Sequence, residues 1–240
     1  MKLSLQPSTA LSRRKSTYNA VVDYLEQPPT PKGRLYEQRA RSLREFAGLR
    51  RDDVPLDPFA LARLARILVV NFDEIQGLSQ EARDHLLGEG SGDWSGGASS
   101  RTLPDGRKLV ILNPKHGRNR HHATLMEEIC HVLLGHEANR LSVAAEHNGG
   151  KTLSRDYNEA DEEEAYAVGA AALVPYTALR RFVLAGRTAS QIARHFNVSR
   201  QLVAYRLKIS RLWAEYKARH PEEAEQYSQR RNDSSDNSSA

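Results

Sequence analysis

The amino-acid sequence predicts an α+β fold: a small sheet set among helices and followed by an all-helical end. Three observations carry that expectation. Ile67–Phe72 and Lys108–Asn113 are two clear aliphatic, β-branched runs, and the second follows the turn Pro104-Asp105-Gly106. Around them, apolar residues recur at helical intervals over long stretches. From about Glu159 to about Tyr227 every patterned segment has helical spacing.

The elements follow in chain order. Residues 1–33 include Gln27-Pro28-Pro29-Thr30-Pro31, which resists helix and sheet because proline fixes φ and lacks an N–H. This segment is expected to be a flexible basic arm. From Arg34 onward, Leu35, Ala40, Leu43 and Phe46-Ala47 mark a helix ending near Gly48. Asp57-Pro58 opens a second helix, with Asp57 as N-cap and Pro58 in the first position. Gly88 to Ser100, with five glycines, reads as a flexible loop between the two strands. Helices are expected from about Asn119 to Gly135 and from about Glu159 to Leu173, the latter stopping before Pro175. A loop around Gly149-Gly150 would join them. Residues 228–240 are rich in Ser, Asn and Asp and are expected to be disordered. The implied organisation is an arm over 1–33, a main domain over 34–176, a helical domain over 177–227 and the tail.

Composition narrows the function classes. The chain has 240 residues, 39% hydrophobic and 27% charged, which suits one substantial soluble domain or a medium and a small one. No apolar run approaches the roughly 20 residues needed to span a bilayer, so no membrane partner is expected. The first fifteen residues lack the apolar stretch of a secretory signal. The single cysteine, Cys130, excludes an intramolecular disulfide framework and a Cys-rich zinc site, and a cytoplasmic location is expected. Charge is unevenly spread. Residues 1–51 hold eleven Lys/Arg against four Asp/Glu, and residues 187–219 hold eight against Glu215 alone. Between them, residues 158–164 carry five carboxylates. Basic ends can meet nucleic acid, or can be solvated helix faces.

Six of the nine histidines fall between His116 and His147. The helix there reads Thr124-Leu-Met-Glu127-Glu128-Ile-Cys-His131-Val-Leu-Leu-Gly-His136. Zinc peptidases use H-E-x-x-H because residues four apart share a helix face, so both histidines reach one ion. The Glu between them takes the proton of the attacking water. Here the string is E-E-x-x-H, with Glu127 where the first histidine would stand. Alone, that string also occurs on solvated helices.

The flanks add specificity. Arg120-His-His-Ala-Thr124 precedes the motif, and Val132-Leu-Leu-Gly135-His136 follows it. Downstream, Glu164-Ala-Tyr-Ala-Val-Gly-Ala-Ala-Ala-Leu-Val-Pro175 is a small, apolar helix led by Glu-Ala and ended by Pro. Together with the Leu56-Asp-Pro-Phe-Ala-Leu-Ala helix and the two strands, these segments resemble the ImmA/IrrE family of metallopeptidases over roughly residues 35–210. The resemblance implies a minimal zincin-like metallopeptidase core with a small sheet, followed by an all-helical helix-turn-helix domain. It implies His131 and Glu164 as metal ligands and Glu128 as general base. It also implies a protein substrate, such as a transcriptional repressor or an antitoxin-like regulator.

Glu127 departs from that pattern and leaves three readings open. A carboxylate can bind zinc at about 2.0–2.2 Å, so Glu127 can complete a set with His131 and Glu164. Such an oxygen-rich shell makes the ion a poorer Lewis acid and admits Mn²⁺ or Fe²⁺ beside Zn²⁺. Alternatively His136 replaces the missing ligand. It lies about 140° around an ideal helix from His131, so it can do so only if the helix ends at Gly135. In the third reading, the peptidase domain is inactive and serves as a scaffold. His121 and His122 fall out of register with the 127/131 face and are expected at the surface or beside a strand. Cys130 is expected to be a buried packing residue. His147 and Tyr157, in the connecting loop, could stabilise an oxyanion.

Residues 188–207 read as a helix-turn-helix. Ile192, Ala193 and Phe196 form the apolar face of its first helix, Asn197 sits at the turn, and Ser199 caps the second helix. Val198, Val203 and Leu207 pack back on the first. Arg200, Gln201, Tyr205 and Arg206 are expected on the outer face, where they could touch double-stranded DNA. The leading expectation is a cytoplasmic, metal-dependent regulatory endopeptidase. Its rival is a DNA-binding transcriptional regulator whose inactive peptidase-like domain senses or scaffolds.

Overall fold

The computed structural model describes residues 27–225 except 78, 100, 137–140, 144–152, 156, 157 and 224. The arm up to residue 26, His147, Tyr157, Gly149-Gly150 and the tail over 228–240 therefore lie outside the described residues. Helix α1 (Pro31–Phe46) begins three residues before Arg34, because the Thr30 side chain caps Gly33 and Pro31 takes the first helical position. Helix α2 (Pro58–Leu64) opens as expected, with the Asp57 carboxylate accepting from the Phe59 N–H at 3.0 Å.

Strand β1 (Ile67–Asn71) pairs in parallel with β3 (Lys108–Leu112), and β2 (Gly96–Ala98) pairs antiparallel with the other edge of β3. The span from Gly88 to Ser100 is thus not a plain loop. It holds a 3-10 turn (Glu89–Gly92) and the edge strand β2, which Gly96-Gly97-Ala98 forms without any β-branched side chain. Helix α3 (Gln80–Leu87), capped by Ser79, precedes it and has no buried residue. Its eight residues, with only Ala82, Leu86 and Leu87 apolar, give too short a periodic pattern to announce a helix.

The sheet packs against α4 (Arg118–Leu134), which in turn packs against α5 (Glu159–Leu173). Leu125, Met126, Ile129 and Cys130 of α4 are fully buried. Opposite them, α5 is buried from Ala165 to Leu173 except at Tyr166. The small residues of α5 permit a close approach: a Cβ on Gly169 would lie 3.3 Å from Met126 Cγ and 3.4 Å from its carbonyl. A two-stranded hairpin, β4 (Leu141–Val143) with β5 (Leu153–Arg155), lies in the connection between α4 and α5.

Helices α6 (Tyr176–Leu184), α7 (Ala189–Phe196), α8 (Arg200–Ile209) and α9 (Trp213–Arg219) follow α5. Thr188 and Gln191 form a capping box at the start of α7, and Ser199 caps α8. Asn197 takes the left-handed conformation (φ 55°) that ends α7. Ile192, Phe196, Val198, Val203 and Leu207 are buried and join the same apolar core as α4 and α5. The architecture is therefore α+β: a helix-rich core around a small mixed sheet, continued by a helical end. Among the described residues, no single helix is long and apolar enough to cross a membrane.

Candidate metal centre

The site grows out of where α4 stops. Gly135, at φ 76°, ends the helix in a left-handed cap, and the His136 N–H donates to the His131 carbonyl at 3.0 Å. The turn folds His136 back beside His131. Their rings meet edge-on with centroids 5.1 Å apart, and a hydrogen bond of 3.2 Å joins the two Nδ1 atoms. Glu127 and His131, one turn apart on α4, face the first turns of α5.

Ligand-capable atoms of Glu127, His131 and Glu162 lie within 4.8 Å of one another. His131 Nε2 is 3.5 Å from a Glu162 oxygen. Glu164, expected as the third ligand, is not in this group. It forms an ion pair with Arg39 of α1 and lies 3.3 Å from His136 Nε2. The reason is angular: two residues along a helix turn a side chain by about 200°. Glu164 shares its face with Asp161, which is 3.9 Å from the same His136 nitrogen, whereas Glu162 points at Glu127 and His131. His136 meets the condition set for an alternative ligand, since the helix ends before it. It stands beside the group of three rather than within it.

Burial shapes the electrostatics. Desolvation, followed by the charges of Glu128 and Glu162, pushes the Glu127 carboxyl up from 4.5 to about 7. No hydrogen bond or ion pair with another described residue offsets that cost. Burial holds the His131 imidazole below its ordinary value, partly countered by Glu162. A half-buried pair of carboxylates beside an imidazole is a donor set that suits a divalent metal ion. Glu128 adjoins Glu127 on α4 and is half-buried. Cys130 is fully buried and burial raises its thiol strongly, which keeps it an unreactive packing residue.

The residues around the motif anchor α4. Arg120 donates twice to Ser95 Oγ, at 2.7 and 3.1 Å. His121 Nε2 is 2.7 Å from the Asn113 carbonyl at the end of β3, the strand-side role expected of it. His122 is not at the surface: it is buried, with Nδ1 3.2 Å from the Asn197 carbonyl in the turn between α7 and α8. It ties the motif helix to the helical end. The sequence offered one signal for this, since His122 lies one helical turn before the apolar Met126.

The four residues expected to face DNA are separated by the fold. Arg200 and Gln201 are exposed, and Arg200 forms an ion pair with Glu223 at 3.0 Å. Tyr205 is half-buried against Tyr166, ring centroids 4.8 Å apart, and burial pushes its phenol up to about 12. Arg206 is not on the outer face: only 2% exposed, it forms an ion pair with Glu37 of α1 and donates to the Val174 carbonyl at 2.9 Å. It lies inward because the same side of α8 carries Leu202, Val203 and Leu207, all buried against the core.

No curated protein matches the chain. Among solved structures, a Mycobacterium tuberculosis transcriptional regulator is similar over 72% of this chain and 46% of its own, at 16% sequence identity and a TM-score of 0.40. This chain thus matches less than half the length of that protein. The model of the Peptidase M78 family, described as the IrrE N-terminal-like domain, matches residues 82–208, which is more than half of the chain and includes α4 and α5. On that match, the chain belongs to the Peptidase M78 family, that of the IrrE N-terminal-like domain.

Proposed function

We propose that the protein is a metal-dependent endopeptidase that cleaves a regulatory protein, with Glu127, His131 and Glu162 as metal ligands and Glu128 as general base. The observation that supports this most is the convergence of Glu127, His131 and Glu162 from two helices onto one point. A divalent ion bound there would polarise the scissile carbonyl and make the attacking water more acidic. Glu128 takes the proton of that water as the new C–O bond forms, then delivers it to the departing amide nitrogen. Glu127 and Glu162 would bring two negative charges to the ligand set, so a divalent ion held there would be nearly neutralised and Mn²⁺ or Fe²⁺ would compete with Zn²⁺. His136 and Arg39 hold Glu164 away from the ligands and so fix the start of α5. The substrate class, a repressor or antitoxin-like protein, and a cytoplasmic setting follow from the family resemblance and the single cysteine. On this reading the division between the peptidase part and the helical part falls near residue 176.

The second reading, a DNA-binding regulator with an inactive peptidase-like domain, is favoured by one observation: a carboxylate occupies the place of the first histidine. Proteome-derived peptides incubated with the metal-loaded protein separate the two. The peptidase reading predicts new peptide ends that disappear with chelator and with Glu128→Gln, while Glu128→Gln still binds metal. No new ends from wild type, or equal cleavage by Glu128→Gln, would overturn it.

A further inference from the structure

We propose that a groove between α1 and α6, on the far end of α5 from the metal centre, binds the phosphodiester backbone of a nucleic acid. The groove has a volume of about 1060 Å³, and seven arginines but only three carboxylates line it. Two of those carboxylates are already occupied. Glu37 forms an ion pair with Arg206 and accepts from the Tyr176 N–H at 3.1 Å. Asp52 accepts from Thr177 and pairs with Arg181 at 2.7 Å.

The groove is also held in shape. Arg44 is buried at its base and donates to the carbonyls of Ala172 at 2.8 Å, Arg51 at 2.8 Å and Val54 at 2.6 Å. It thereby fastens the 49–54 segment to α1 and to the end of α5. Around this fixed base, Arg41, Arg50 and Arg180 make no hydrogen bond or ion pair with a described residue, and Arg41 and Arg50 are exposed. Cations gathered around a concavity focus a positive potential into it. The guanidinium fork matches phosphate oxygens better than an ammonium does.

The occupant follows from shape and chemistry. Arg34 and Arg41 lie seven residues apart on α1, about 10 Å along the helix axis, which is too far for one phosphate group and suits successive ones. Tyr176, the sole aromatic residue of the lining, is buried, so no ring is offered to a base. Contacts would therefore go to the backbone and carry little sequence preference. Helix α8 is the poorer candidate, because Arg206 points inward and Arg200 is paired with Glu223.

The test uses the full chain and fluorescence anisotropy with a short labelled duplex and its single strand over a range of salt. Arg41→Gln, Arg50→Gln and Arg180→Gln combined should flatten the plot of log K against log salt by about 2.7 for duplex, or about 2.1 for single strand. Affinity at low salt should fall at least tenfold. The corresponding lysine variant should recover most of the slope, which separates lost charge from lost fold. Arg200→Gln with Gln201→Ala should leave binding within twofold. The proposal is overturned if wild type does not bind at low salt, if the triple glutamine variant binds like wild type, or if the α8 variant alone abolishes binding. It is also overturned if inorganic triphosphate competes as strongly as the duplex, since that would mark a small-anion site.

Discussion

Glu127 links the candidate metal centre to stability through its proton. In the metal-free protein its carboxyl titrates at about 7 rather than 4.5, chiefly because it is desolvated and secondarily because Glu128 and Glu162 are near. Below about pH 4.5 folded and unfolded chains both hold the proton, and burial costs nothing extra. As pH rises toward 7 the unfolded chain ionises while the folded one does not, so unfolding gains protons to release and stability falls. Above 7 the loss is complete. A raised carboxyl pKa thus contributes stability at low pH that is lost through this window. At about 1.36 kcal/mol per pH unit, the shift corresponds to about 3 kcal/mol. Glu127→Gln keeps the shape and removes the titration. Urea unfolding of chelator-treated wild type and variant should therefore coincide near pH 4 and diverge, with the variant more stable by about 3 kcal/mol, near pH 8. The His131 imidazole, held low by burial, is present in both proteins and largely cancels in the difference. A difference that does not change with pH would show that Glu127 does not titrate in this window. With metal bound the order should reverse, because the variant has lost a ligand.

Other outcomes follow from the same contacts. Glu127→His should rebuild a shell of two imidazoles and one carboxylate, shift preference from Mn²⁺ toward Zn²⁺ in competitive metal binding, and raise any peptidase activity, because imidazole suits zinc. Unchanged metal preference would remove Glu127 from the ligand set. Ile129→Ala empties a fully buried position between α4 and the core and should cost about 2–5 kcal/mol in urea unfolding. A cost below about 1 kcal/mol would mean that the site collapses around the smaller residue.

The sequence made the motif helix and its neighbours legible for physical reasons. Asp57-Pro58, Asn197 and Ser199 are local signals that satisfy helix ends wherever the rest of the chain goes, and each sits where it was expected. Helix α4 has an apolar face interrupted by Glu127 and His131, so those two residues could be placed on one side in advance. The third member of the cluster, Glu162, could not. Helix α5 is buried on nearly all sides beyond Ala165, so no polar face reveals which residue of Asp161 to Glu164 points at α4. That choice depends on Arg39, whose ion pair draws Glu164 toward α1, a contact spanning 125 positions of sequence. Arg206 failed for a related reason: its charge suggests solvent, but Glu37 and the Val174 carbonyl provide a partnered place for it inside. Strand β2 was hidden because its Gly-Gly-Ala sequence has no strand propensity of its own and is held by pairing with β3.

Calorimetric titration of chelator-stripped protein with Zn²⁺ and with Mn²⁺, in wild type beside Glu162→Ala, Glu164→Ala and His131→Ala, distinguishes Glu162 from Glu164 as the third ligand. One equivalent of metal should bind to wild type and to Glu164→Ala, with affinity lost or weakened at least tenfold in Glu162→Ala and His131→Ala. Binding that survives in Glu162→Ala and vanishes in Glu164→Ala, or that is the same in all four proteins, would contradict the assignment of Glu162.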